Sequence, residues 1–417
     1  MLVYVLNKHG KPLMPCKPVK ARILLKQKKA KVVKRTPFTI RLVYGSSGYK
    51  QPVTLGVDSG YSHIGLSAVT DKKEVYAAEV QLRNDIVKLN SERRQYRRAR
   101  RSRKTWYRKP RFLNRKKPDG WLAPSIRHKL DSHIKVIDQI SKILPVSQIN
   151  LEVAAFDIQK INNPDETGAE YQNGVQKGFW NVREYVLYRD NHTCRHCKGK
   201  SKDRILEVHH IESRQTGGNS PNNLVTLCKS CHVGYHSGKF ELKLSKPKGF
   251  KAETFMSMVR WKIVNKLRDM GHTVSHTYGH ITKSKRIELG LSKSHINDAF
   301  VIAGGTNHIE RVHLLYMAKQ VRKCNRKLFK GARSHLPNIS DRIIDGFKRF
   351  DKVMWNGIEC FIFGRRKTGY FDIRRLDGTK IHSSVSSKKI RKLESASTIL
   401  VDRIFLPAIN NGVSNAR

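Results

Sequence analysis

Acidic residues are scarce: 33 Asp and Glu stand against 83 Lys and Arg in 417 residues, a formal net charge of +50. That imbalance argues against an ordinary enzyme of small molecules. It calls for a polyanionic partner, because neutralising many phosphates releases their counterions, whereas unscreened self-repulsion on this scale opposes a compact fold. Long apolar runs are also missing. None approaches the ~20 residues needed to span a bilayer, and Met1–Leu6 is too short for a signal peptide. The expectation is a cytoplasmic protein whose anion is nucleic acid, with no membrane partner. Cysteine is sparse, seven in all. Cys16, Cys324 and Cys360 are scattered, which suits free thiols in a reducing compartment and not a disulfide framework. There is no internal repeat and no long low-complexity tract. At 38% hydrophobic the chain can still build cores, and its length suggests two or three domains.

The other four cysteines carry the plainest chemistry. Cys194 and Cys197 form one Cys-x-x-Cys knuckle and Cys228 and Cys231 a second, a donor set for tetrahedral structural zinc. The knuckles lie further apart than in a plain zinc ribbon, so a further element is looped out between them. That loop holds His209, His210 and Asn223. The His pair closes a short apolar run at 205–208, and the Asn precedes another at 224–227. One His of the pair is expected to bind a divalent metal and the other to take a proton from water, a task for which imidazole, with its ordinary pKa of about 6.5, is suited. The metal would stabilise the leaving 3′-oxygen and the charge on phosphorus. Asn223 would orient the base or brace the loop. His232 and His236 lie four apart, on one helix face, and either can complete the metal set. A zinc-stabilised binding finger without catalysis is the bland alternative, but it has no need of a His-His pair.

Around this finger the periodicities change. Residues 2–6 read as a strand, the prolines at 12, 15 and 18 are expected to break regular structure, a basic helix is expected over 19–31, and a strand over 38–42. Residues 53–80 alternate as a three-stranded meander. Residues 91–117 are dense in cations, among them Arg93, Arg94, Arg97, Arg98, Arg100, Arg101, Arg103 and Lys104. A helix charged on every face has no stripe to bury, and arginine suits bidentate phosphate contact. Tyr96, Trp106 and Tyr107 are interleaved for stacking on bases, and Pro110 should end the helix. A solvated basic arm is the alternative. Helices are expected over 125–144, near 182–188, and over 252–270 and 294–303, with strands over 148–153 and 272–277. Flexible linkers are expected at 161–178 and 239–251. Beyond 307 the chain turns to strands, with hairpins at Asn356-Gly357 and Asp377-Gly378, read as a small β-barrel.

Four residues outside the finger form a second constellation. Asp58 ends a strand in GVDSG, Glu152 ends another in NLEV, and His295 and Asp298 sit at i and i+3 on a helix in KSHINDAF. Each alone reads as a turn residue or a solvated carboxylate. Together they suit two magnesium ions about 4 Å apart, held by carboxylates from separate elements of an RNase H-like core. Asp58 would bridge both ions, Glu152 and Asp298 would hold one each, and His295 would act as base or phosphate contact.

The finger resembles the HNH endonuclease family. Matched residue by residue, that implies His209 as metal ligand, His210 as general base, Asn223 as the central Asn and His232 as the closing ligand, with His236 unassigned. The whole order resembles the IscB family of transposon-encoded RNA-guided nucleases, relatives of the CRISPR effector that carries RuvC and HNH domains. The resemblance rests on the PLMP motif at 12–15 with ARILLKQKKAKVVKRTPFTIRL after it, on the arginine run, and on TYGHITKSKRIELGLSKSHINDA. It implies an α/β multidomain chain: a PLMP domain at 1–50, a RuvC core split over 51–82, 119–160 and 251–306, an arginine-rich bridge helix at 83–118, an HNH domain with linkers at 161–250, and a region at 307–417 contacting RNA and the target-adjacent motif. It further implies a guide omega RNA and a double-stranded DNA target in a monomeric ribonucleoprotein, with magnesium and zinc as cofactors. A guide-independent HNH endonuclease leaves the carboxylates and the arginine run unexplained. A non-catalytic RNA-dependent regulator leaves two sets of catalytic residues idle.

Overall fold

Residues 1–45, 48–104, 118, 120–153, 181–211, 221–241, 251–323 and 341–405 are described by a computed structural model. The expected linkers at 161–178 and, but for their ends, 239–251 fall outside these residues, as do Trp106, Tyr107, Pro110 and Cys324 and the side chains of Arg100, Arg101, Arg103 and Lys104. The chain forms two units, one from 1–155 with 255–417 and one from 156–254.

The N-terminal strands are β1 (Val3–Leu6), β2 (Pro12–Cys16), β3 (Ala30–Lys34) and β4 (Thr39–Leu42), with helix α1 (Pro18–Lys26) between β2 and β3. Their order in the sheet is β2-β1-β4-β3. Two expectations are corrected here. Pro12 and Pro15 do not break structure, because β2 is an edge strand and its outer side needs no N–H donor; Pro18 sits in the first turn of α1, where a missing N–H costs nothing. The basic helix ends at Lys26 and not near 31. Lys28 turns the chain at a φ of 55°, and the β-branched Val32 and Val33 continue as strand beside β4. Tyr4 crosses from this sheet, its hydroxyl donating to the Val75 carbonyl at 3.1 Å and its ring meeting Tyr76 edge-on.

In chain order there follow β5 (Thr54–Ser59), β6 (His63–Val69), β7 (Glu74–Gln81), α2 (Ile86–Lys104), α3 (Pro124–Ser141) and β8 (Gln148–Glu152). The second unit holds α4 (Val182–Arg189), β9 (Leu206–His210), β10 (Leu224–Cys228) and α5 (Lys229–His236). Then come α6 (Lys251–Asp269), β11 (Val274–Thr277), α7 (Gly279–Glu288), α8 (His295–Ile302), β12 (Leu314–Gln320), β13 (Lys352–Trp355), β14 (Ile358–Arg365), β15 (Tyr370–Arg374), β16 (Lys380–Ser386), β17 (Arg391–Glu394) and β18 (Ile399–Phe405).

A seven-stranded sheet ordered β11-β8-β5-β6-β7-β12-β18 organises the first unit. β5, β6 and β7 form the expected antiparallel meander, while β8 pairs parallel with β5 and β11 parallel with β8. Strand alternation sends Leu55, Val57, Ile64 and Leu66 to one face, where they form a core with Ile134 and Ile137 of α3 and Val259 and Ile263 of α6. Burying each such side chain stabilises by about 1.5–3 kcal/mol. The opposite face of β5 and β6 carries Gly56 and Gly65, and α8 lies directly on them. A Cβ on Gly56 would stand 2.1 Å from the Ala299 carbonyl oxygen, and one on Gly65 1.9 Å from that of His295. These glycines let helix backbone meet strand backbone.

The expected boundary at 306/307 does not separate sheets. β12 pairs parallel with β7 and antiparallel with β18, so both belong to the large sheet. The remaining strands form an antiparallel sheet ordered β16-β15-β14-β13-β17. Its hairpins are where expected, with Asn356 and Gly357 both at positive φ as a two-residue turn requires. Among the described residues β16 and β17 do not pair, so the expected barrel is an open sheet.

Candidate functional site

On the glycine face, three distant stretches of chain bring their polar residues together. Asp58, on β5, is nearly buried, and its Oδ2 lies 2.6 Å from Nδ1 of His295 at the start of α8. Ser294 caps that helix by accepting from the Asn297 N–H, which fixes the first turn where His295 and Asp298 sit. Ser59 Oγ donates to the Glu152 carbonyl at 2.7 Å and ties the end of β5 to the end of β8. Burial pushes the Glu152 carboxyl up to about 7, against a lowering hydrogen bond from Thr282 and with further raising from the charges of Asp58 and Asp298. Asp298 is also raised, by burial and then by Asp58, despite an ion pair of 2.8 Å with Arg286. The hydrogen bond to Asp58 raises His295. Two carboxyls raised by burial and by a neighbouring acidic charge belong to a donor set short of positive charge, and a divalent cation supplies it. Asp58, Glu152, His295 and Asp298 are thus brought together. Arg286 and Thr282, which the sequence reading missed, complete their surroundings; both lie on α7, whose only signal was basic helix composition.

In the second unit the finger is built on a hairpin and a helix. β9 and β10 pair antiparallel with His209 opposite Val225 and His210 opposite Leu224, and α5 follows at once. The Sγ atoms of Cys194, Cys197, Cys228 and Cys231 lie within 4.8 Å of one another, the spacing a tetrahedral ion needs. Burial pushes Cys197 up, but hydrogen bonds led by the Ser201 side chain outweigh it and bring the thiol down to about 6. Asp203 fastens the second knuckle by accepting from the Ser230 N–H at 2.8 Å.

His209, His232 and His236 form the second cluster of the finger. His232 Nε2 lies 3.1 Å from His209 Nδ1 and 3.1 Å from His236 Nε2, while His232 Nδ1 bonds the Glu207 carboxylate. With its Nδ1 proton held by Glu207, His232 presents only a lone pair to two other ring nitrogens. Three nitrogens converging in this way, one braced by a carboxylate, suit a divalent ion. Burial, then the neighbouring imidazoles, lowers His209 to about 4, so it stays a neutral donor. His236 is therefore part of the cluster. Glu207 was not foreseen, although its i, i+2 spacing from His209 puts both on one strand face. His210 projects to the other side of β9 and is not among the three clustered rings. Asn223 is buried, and its carbonyl accepts from the Ile211 N–H at 2.8 Å, which braces the strand end beside His210.

Among the cationic run, Arg93, Arg94, Arg97 and Arg98 are all exposed along α2, and Arg97 Nε reaches the Arg93 carbonyl. No helix among the described residues is long and apolar enough to cross a membrane.

Residues 3–174 match the family model described as RRXRR protein, and residues 194–238 match that of HNH endonuclease. No curated protein matches the chain. Similar solved structures include Streptococcus thermophilus Cas9 in complex with the AGAA PAM, at 14% identity and a TM-score of 0.32 over 60% of this chain and 32% of that one. The same protein with the GGAA PAM gives 13% and 0.31 over 61% and 32%, and with the AGGA PAM 12% and 0.30 over 60% and 32%. The chain spans about a third of the length of those structures, and at such scores the likeness carries no argument. An RRXRR region followed by an HNH endonuclease domain, in a mixed α/β multidomain chain, is consistent with the IscB-like nucleases that the sequence resembles.

Proposed function

We propose that the chain is an RNA-guided, metal-dependent DNA endonuclease with two cutting sites. The finger cuts the guide-paired strand, and Asp58, Glu152, Asp298 and His295, on an RNase H-like (RuvC) core split in three, cut the displaced strand. The observation that carries the reading is the meeting of these four residues from chain segments about 90 to 240 residues apart, in a chain whose finger has its own His cluster. The basic surface of α2 supports a guide RNA as partner, held by backbone contact while base pairing reads sequence.

Magnesium, when bound, would supply Lewis-acid stabilisation of charge on the phosphate at each nuclease site, and zinc at the four cysteines would hold the finger folded. Asp58, Glu152 and Asp298 are the residues that would hold the ions of the first site; His209, His232 and His236 would hold that of the second. Glu207 orients His232. His210 takes the proton from the attacking water, and the Asn223 carbonyl keeps its strand end in place. His295, hydrogen-bonded to Asp58, holds or passes a proton at its imidazole.

Purification should yield protein rich in 260 nm absorbance with one discrete, RNase-sensitive RNA. With magnesium and a matching target, Asp58→Ala should leave only the guide-paired strand cut, and His210→Ala only the displaced one. RNA-free protein that still cuts site-specifically overturns guidance, and loss of both cuts in either variant overturns the assignment of one site per strand.

A further inference from the structure

Next to the carboxylate cluster the same sheet face carries a second donor set. Asp58 of β5, Gly65 of β6 and Glu79 of β7 lie in one cross-strand row, and strand alternation brings His63 to this face too. Gly65 has no side chain, so the first residue of α8 settles over it. His295 is then flanked by Asp58 on one side and Glu79 on the other. One donor atom from each of His63, Glu79 and His295 lies within 4.8 Å of the others. The two imidazoles stack, centroids 5.3 Å apart at 24°, and His63 Nε2 is 4.0 Å from Glu79 Oε1. The side chains are 34%, 22% and 41% exposed, open enough for an ion to enter from solvent.

We propose that His63, Glu79 and His295 bind a divalent transition-metal ion of the zinc, cobalt or nickel type, at a site separate from the magnesium carboxylates but sharing His295 with them. Two imidazoles and one carboxylate favour these ions over magnesium, which prefers an all-oxygen shell. Asp58 already engages His295 Nδ1, which leaves Nε2 as the donor and makes Asp58 the orienting carboxylate of an imidazole ligand. An ion here occupies the imidazole lone pair through which His295 takes or passes a proton at the carboxylate site, so the site is inhibitory. The binding claim stands on geometry alone; the inhibitory consequence rests on the nuclease reading above.

Crystals of the ribonucleoprotein soaked in nickel chloride should show an anomalous difference peak at the nickel edge between the three side chains, and Glu79→Gln should lose it. A wild-type crystal without that peak overturns the site. In the His210→Ala background, where only the carboxylate site cuts, nickel added to excess magnesium should slow nicking at least tenfold. Added to that background, Glu79→Gln and, separately, His63→Ala should bring nicking in nickel back to within about twofold of its nickel-free rate, a rate neither changes. Equal inhibition with and without these substitutions means that nickel acts at the carboxylates, and overturns the inhibitory role. A protein that cuts nothing refutes the nuclease reading, while the diffraction peak still decides the site.

Discussion

Replacing Glu152 with Gln should stabilise the large sheet while removing its function. The Glu152 carboxyl rises from 4.5 to about 7 through burial, opposed by the Thr282 hydroxyl and reinforced by Asp58 and Asp298. A folded-state pKa above the unfolded value means that the folded chain binds the extra proton. The ionisation penalty is therefore absent below pH about 4.5, grows between about 4.5 and about 7, and is constant above. At about 1.4 kcal/mol per unit, it reaches on the order of 3 kcal/mol. Gln keeps the shape and an acceptor for Thr282 but never ionises. Native-state hydrogen exchange of β5 and β8, with magnesium withheld, reads the opening free energy of that region. Wild type and Glu152→Gln should open equally at pH 4.5, and by pH 8 wild type should open more easily by on the order of 2–3 kcal/mol. Adding magnesium should protect wild type and leave the variant unchanged. Equal protection at pH 8 without magnesium, or a wild type more protected than the variant, would refute the gathering of three carboxylates at this end of the sheet.

Gly65→Ala places a methyl against the His295 carbonyl at 1.9 Å. Because helix backbone cannot yield as a side-chain end can, displacement of α8 should cost about 1–3 kcal/mol or more and abolish the carboxylate cut while sparing the finger's; unfolding and strand-resolved nicking check both. Glu207→Gln removes the carboxylate that orients His232, and should weaken metal at the His cluster by roughly 10–100-fold, read as a rise in the magnesium needed for guide-paired cutting. Cys228→Ser or zinc chelation should unfold the finger, seen as new protease cuts within 181–241, with β5–β8 exchange unchanged.

Much of this molecule is legible residue by residue. The Cys-x-x-Cys pairs, the His-His pair and the i, i+4 histidines are local patterns, and a hairpin followed by a helix gathers all of them but His210 with little help from the rest of the chain. Alternation in 53–80 announces a meander because each strand pairs with its sequence neighbour. The acidic residues of the sheet were legible as candidates for a different reason: a carboxylate at the end of an apolar strand stands out by type, although its neighbours do not show what it faces. The PLMP strand was misread because a proline's effect depends on whether its strand is inside or at the edge of a sheet, which composition does not reveal.

What the sequence by itself determined is the donor inventory, the polyanion partner class and most local elements, since these depend on residue type and short-range period. Tertiary structure alone decided that β12 and β18 join the large sheet, because their partners lie far along the chain and register is set by pairing. It also decided that α8 rests on Gly56 and Gly65. Only that backbone-to-backbone approach brings His295 to 2.6 Å from Asp58, and no residue type or spacing encodes a distance between segments 237 residues apart.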